Sequence, residues 1–151
     1  MVIKYSQISK EEPLLEKLIG LNARNFREIC KEFAMVWMET ERRRLERPGR
    51  MRAIGGGRKP ALETEEILLM TLLRLRLGLK MEDLGRLFGI DKSTASRYFQ
   101  KSIRILQQID ALKSISTLII RKRGKSIKEI FQEYPELELF LNKKPIYFAR
   151  K

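Results

Sequence analysis

Lys92, Ser93, Thr94, Ser96 and Arg97 fall within six consecutive positions and present ammonium, hydroxyl and guanidinium groups with no carboxylate among them. The chemistry open to such a set is recognition by hydrogen bonding to an anionic or acceptor-rich partner. Nucleophilic catalysis is a poor fit. The chain has no histidine at all and one cysteine, Cys30, so Ser/His and Cys/His pairs, histidine metal sites and an internal disulfide are excluded. Arg97 can meet guanine bidentately, Ser93, Thr94 and Ser96 can reach base edges or phosphates, and Lys92 suits a phosphate.

What must position these residues is the stretch 81–100, MEDLGRLFGIDKSTASRYFQ, which reads as two short helices joined by a tight turn. Gly85 supplies the small residue where the helices cross, and Gly89 the turn that needs positive φ. Leu84, Phe88, Ile90, Ala95 and Tyr98 provide the apolar positions that pin the pair. Asp91 is placed to cap the second helix by accepting a free amide of Ser93 or Thr94. Ala95, Tyr98 and Phe99 make its inner face, and Ile103, Leu106, Ile109 and Leu112 continue that stripe, so the helix should run about twenty residues. An ordinary helical hairpin would share the apolar positions; the polar outer face and the charge around it favour a helix-turn-helix that reads nucleic acid.

The charge is +13 over 151 residues, and it is uneven. Residues 1–40 are neutral, and 61–112 carry eight basic against seven acidic side chains. Residues 41–60 carry eight basic and two acidic, 113–128 six basic and none acidic, and the last nine residues four basic and none acidic. A nearly neutral unit flanked by basic arms suits a duplex-DNA partner, with phosphate-binding arms on both sides of the motif. Any one run alone could be a solvated face. Arg42, Arg43 and Arg44, then Arg58 and Lys59 after Gly55-Gly56-Gly57, are the candidate phosphate contacts. Glycine followed by Arg58-Lys59-Pro60 also suits an arm in the minor groove; phosphate contact without insertion fits equally. No apolar run approaches a membrane span or the core of a signal peptide, which points to a cytoplasmic protein without a membrane partner.

Upstream, residues 1–8 read as loose. Ser9 and Glu12 have capping-box spacing, with Pro13 as an alternative start, and Gly20 ends a short helix. Asn22 should cap an amphipathic helix carrying Phe26, Ile29, Cys30, Phe33, Val36 and Trp37 and running to about Arg47. Its apolar face suits packing on the main domain or on a second copy, a homodimer. Cys30 on that face reads as a buried structural thiol. Residues 62–77 form a leucine-rich spine stopped by Gly78. Downstream, Ser126 should cap a helix over 127–133, and 136–141 suits a strand or a last helical turn. The resulting expectation is an all-α protein: an N-terminal helical region (1–47), a basic Gly-rich linker (48–60), a helix-turn-helix domain with a three-helix core (61–112) and a basic tail (113–151).

The succession of an entry from Leu18 to Leu21, an amphipathic helix, GGGRKPAL, LLMTLLRLRLGL and LGRLFGIDKSTASRYF resembles the N-terminal DNA-binding region of bacterial insertion-sequence transposases of the DDE superfamily. The likeness covers 14–112 well and 113–141 loosely. It implies recognition of terminal inverted repeats by the helical region. It also implies a ribonuclease-H-like catalytic domain in which two aspartates and a glutamate hold magnesium. The first aspartate would follow a segment like FQEYPELELFL, where this chain reads Leu139-Phe140-Leu141-Asn142-Lys143-Lys144-Pro145-Ile146. Glu133, Glu136 and Glu138 nearby suit a solvated face better than metal ligation. The expectation is therefore a sequence-specific DNA binder without cofactor or metal and not itself an enzyme. It would be the end-recognition part of a truncated or split transposase; a further alternative is a role in trans, with the catalytic half supplied by a separate chain. The alternative is a free-standing helix-turn-helix transcription regulator.

Overall fold

The computed structural model describes residues 2–46, 61–109 and 124–142, and every element among them is helical. The helices are α1 (Tyr5–Ile8), α2 (Glu12–Ile19), α3 (Ala23–Leu45), α4 (Thr64–Leu77), α5 (Met81–Phe88), α6 (Lys92–Gln108), α7 (Ile127–Glu133) and α8 (Pro135–Leu141). The basic linker with Arg58 and Lys59, the run 113–123, Leu112 and everything after Asn142 lie outside the described residues.

α4 is the spine. Nine of its residues, Ile67 to Leu73 with Leu75 and Leu77, are buried, so apolar surface faces partners around most of its circumference. Glu65 and Glu66 sit in its first turn, where the helix dipole favours them. Gly78 closes it at φ 73°. Thr71, buried mid-helix, donates its hydroxyl to the Ile67 carbonyl at 2.8 Å, so it leaves no unmet polar group in the core. Against this spine pack α2, α3, α5 and α6.

Local caps set most boundaries. The Asn22 side chain accepts the Asn25 amide at 2.8 Å and starts α3. Ser126 does the same for α7 through the Glu129 amide at 3.3 Å. Gly20 ends α2 at φ 76°. Other boundaries differ from the sequence expectation. Residues 5–8 are a helical turn rather than loose chain, because Ile8 is buried in the shared core and the Tyr5 ring stacks on Phe26 at 5.3 Å. Ser9 closes that turn and forms no capping box; α2 starts at Glu12 with Pro13 in its first turn, as the alternative start required. α3 stops at Leu45, two residues before Arg47. Residues 135–141 are helix and not strand: Pro135 opens the helix, and Leu137 is fully buried.

The N-terminal and C-terminal segments share the core of the central helices. Phe26, Phe33, Ile130 and Leu137 belong to the same buried cluster as the α4 leucines. The Ile3 amide donates to the Leu87 carbonyl at 2.7 Å. Downstream, a single parallel bridge joins Leu79 and Lys125, with Lys125 N–H on the Gly78 carbonyl at 2.9 Å and Lys80 N–H on the Lys125 carbonyl at 2.8 Å. The buried Asp83 carboxylate accepts the Ile127 amide at 3.0 Å, which caps α7 from α5. Lys17 and Glu136 pair at 3.1 Å across the surface.

Candidate nucleic-acid interface

α5 and α6 cross at Gly85. A Cβ there would lie 2.7 Å from the Ile90 carbonyl oxygen, a backbone atom that cannot move aside without opening the turn. Gly89, at φ 70°, makes the turn itself. Asp91 then caps α6 by accepting the Thr94 amide at 2.9 Å. Its carboxyl is held below the usual range, first by its side-chain hydrogen bond with Thr94 and then by the Thr94 amide, with Arg97 adding to the effect.

The inner side of α6 buries Ala95, Ser102, Ile105 and Leu106. Its outer side carries Lys92, Ser93, Arg97, Gln100, Arg104 and Gln107, all exposed, with Thr94 and Ser96 half-buried at the edge. The structure therefore brings the five sequence-nominated residues of this helix onto one end of one surface, around its first two turns. Arg97 leans back to Thr94, its guanidinium donating to the hydroxyl at 3.3 Å. Lys92, Arg97 and Arg104 form no ion pair among the described residues. α6 contains four basic residues and no acidic one.

Three residues of this face, Gln100, Arg104 and Gln107, were missed by the sequence reading. The signal was available: they lie three, seven and ten positions beyond Arg97, the repeat that keeps side chains on one helical face.

Arg42, Arg43 and Arg44 sit elsewhere, on the last turns of α3, and each meets acid on its own helix. Arg42 pairs with Glu39 at 2.6 Å and Glu46 at 2.5 Å, Arg43 with Glu39 at 3.2 Å, and Arg44 with Glu41 at 2.9 Å. The Arg42 hydrogen bond holds the Glu39 carboxyl below its ordinary pKa, and Glu39 raises that of Arg42 in turn. The described residues as a whole carry 19 basic and 18 acidic side chains, so they are nearly neutral. Residues 47–60, 110–123 and 143–151 carry 13 basic and one acidic, nearly all of the net charge.

α3 is tied to the flank of α6. Trp37, buried, packs on Phe33 and on Tyr98, at 5.7 Å and 5.9 Å between ring centroids. Lys101 Nζ lies 4.0 Å from the Trp37 ring centroid and is ion-paired with Glu41. Burial pushes the Glu41 carboxyl up, but hydrogen bonds from Lys101 and Arg44 outweigh it and leave it below the ordinary value. Tyr98 Oη accepts the Ala61 amide at 3.2 Å, so the described chain resumes beside α6. The apolar face of α3 that could have met a second copy is thus turned inward; on its outside only Met35 and Met38 are large, apolar and exposed. Cys30 is half-buried, and burial, with Glu65 adding, pushes its thiol up to about 11, which makes it a poor nucleophile.

No group of three acidic, cysteine or histidine side chains among the described residues is placed to hold a metal ion. Of the glutamates near the C-terminal helices, Glu133 pairs with Lys125 at 2.6 Å and Glu136 with Lys17. No helix among the described residues is long and apolar enough to cross a membrane.

Residues 60–109, which span α4, α5 and α6, match a family model described as the helix-turn-helix of DDE superfamily endonuclease. The match covers about a third of the chain. No curated protein and no solved structure matches.

Proposed function

We propose that this chain, whose residues 60–109 belong to the helix-turn-helix family of DDE superfamily endonucleases, recognises the ends of a mobile element as the DNA-binding part of a transposase. α6 enters the major groove by its N-terminal turns. Arg97, Ser93, Thr94 and Ser96 meet base edges or nearby phosphates, and Lys92 meets a phosphate. Arg58 and Lys59 supply phosphate contacts, and Arg42, Arg43 and Arg44 a smaller share, since each must leave a glutamate to reach DNA.

The observation that carries this reading is the outer face of α6: capped by Asp91, free of acid, and exposed over successive turns while its inner face is locked in the core. The low net charge of the described residues divides the work. Affinity comes mainly from the basic segments and sequence choice from α6.

The test is an electrophoretic-shift titration of the terminal inverted repeat flanking its reading frame against a scrambled duplex of equal length. Preference for the repeat by tenfold or more at physiological salt is expected. Equal affinity for both duplexes would remove the end-recognition role, and no duplex binding at low salt would remove DNA binding itself.

A further inference from the structure

In the turn of α6 from Tyr98 to Ser102, every side chain but one is held by the protein. Tyr98 accepts the Ala61 amide. Phe99 lies against the Arg74 guanidinium, 5.4 Å from its carbon to the ring centroid. Lys101 is taken by Trp37 and Glu41. Ser102, buried, donates to the Tyr98 carbonyl at 2.7 Å. Gln100 is the exception. It is exposed, and its carboxamide has no hydrogen-bond partner among the described residues.

We propose that Gln100 is a specificity-determining residue of this face, reading an adenine beside the base pair that Arg97 reads. The assignment rests on the DNA-binding role of α6 given above and adds what that face selects. A carboxamide offers one acceptor and one donor in a plane, which matches the N6 donor and N7 acceptor of adenine in the major groove. A guanidinium offers two donors, which match O6 and N7 of guanine. Gln100 follows Arg97 by three residues, about 4.5 Å along the helix axis. Base pairs stack about 3.4 Å apart, so the two side chains address neighbouring or next-but-one pairs. Arg104 lies about 10 Å beyond Arg97 on the same face. A helix that enters the groove by its N-terminus has begun to leave the base edges there, so Arg104 grips a phosphate. Gln107 carries the same amide on the same face but lies farther out still, beyond reach of a base.

The experiment uses the full chain and a pool of duplexes with a randomised centre, selected in parallel with wild-type protein, Gln100→Ala and Gln107→Ala. The wild-type site should hold an adenine within two pairs of a guanine. Gln100→Ala should flatten the adenine column, losing about 5- to 150-fold of discrimination there, and leave the guanine column intact. Gln107→Ala should return the wild-type site. A Gln100→Ala site identical to wild type, or loss of the same column in both variants, overturns the assignment to Gln100 and leaves DNA reading by α6 standing. A pool that wild-type protein does not enrich overturns both.

Discussion

The last turns of α3 and the outer face of α6 both present basic side chains to solvent, but only the first set meets acid on its own helix. Arg42, Arg43 and Arg44 are interleaved with Glu39, Glu41 and Glu46 at three- and four-residue spacing. Each of these guanidiniums must give up a carboxylate to take a phosphate. Lys92, Arg97 and Arg104 form no ion pair among the described residues, and the Arg97 guanidinium has only the Thr94 hydroxyl, at 3.3 Å, to give up. Number of arginines is therefore a poor guide to which helix is free to meet an anionic partner, and local pairing a better one. The ion pair between the two regions, Glu41 on Lys101 over Trp37, removes one α6 lysine from the outer face and uses it to fix α3 in place.

The largest effect should come from separating the two regions. Trp37→Ala removes a buried ring that touches both helices and should cost about 3–5 kcal/mol. A thermal or denaturant melt checks it; a loss under one kcal/mol would mean that α3 is not anchored on α6 as described. Gly85→Ala comes next. Its methyl meets the Ile90 carbonyl, and relief by backbone movement should cost about 1–3 kcal/mol. Because the strain falls on the crossing of α5 and α6, sequence preference should fall further than total DNA affinity.

Arg97→Ala should leave the melt unchanged and reduce discrimination at one base position by about 1–3 kcal/mol, read by competition with singly substituted duplexes. Combined replacement of Arg42, Arg43 and Arg44 by alanine should do less. Three unopposed phosphate contacts would change the slope of log affinity against log salt by about 2.7. A change below about one is expected where the guanidiniums are already paired with glutamates and hold few phosphates. Lowering pH should act more weakly again. Glu41 has a depressed pKa, so its pairing with Lys101 is fully present at neutral pH and is lost only as pH falls through that lowered value. A melt followed from pH 7 down to 3 should show no step from this pair above the ordinary carboxylate range.

The parts of this fold that were legible in the sequence are those set within one turn of chain. Asn22, Asp91 and Ser126 each bond the amide three residues on, and Gly20, Gly78 and Gly89 each take positive φ where a helix must stop. The parts that were not legible depend on distant packing. Tyr5–Ile8 is helical because Ile8 is buried in the common core, and 135–141 is helical with Leu137 buried in that core; neither segment carries a local cap that announces it. The candidate site divides the same way. Its first turns follow from Asp91 and the polar run after it, and Gln100 follows from its spacing after Arg97; that Tyr98, Lys101 and Ser102 around it are occupied depends on packing that spacing does not show. The pairing of Arg42–Arg44 was available from spacing alone, in Glu39, Glu41 and Glu46.

In the proposed division of labour the face of α6 selects sequence while the α3 arginines do not. It is tested most directly by the affinity ratio between the selected duplex and a scrambled one, measured at physiological salt for wild type, Arg97→Ala and the Arg42/Arg43/Arg44→Ala variant. A ratio cut about 5- to 150-fold by Arg97→Ala and unchanged by the triple substitution is expected. A ratio that survives Arg97→Ala, or that collapses with the α3 arginines, would contradict it.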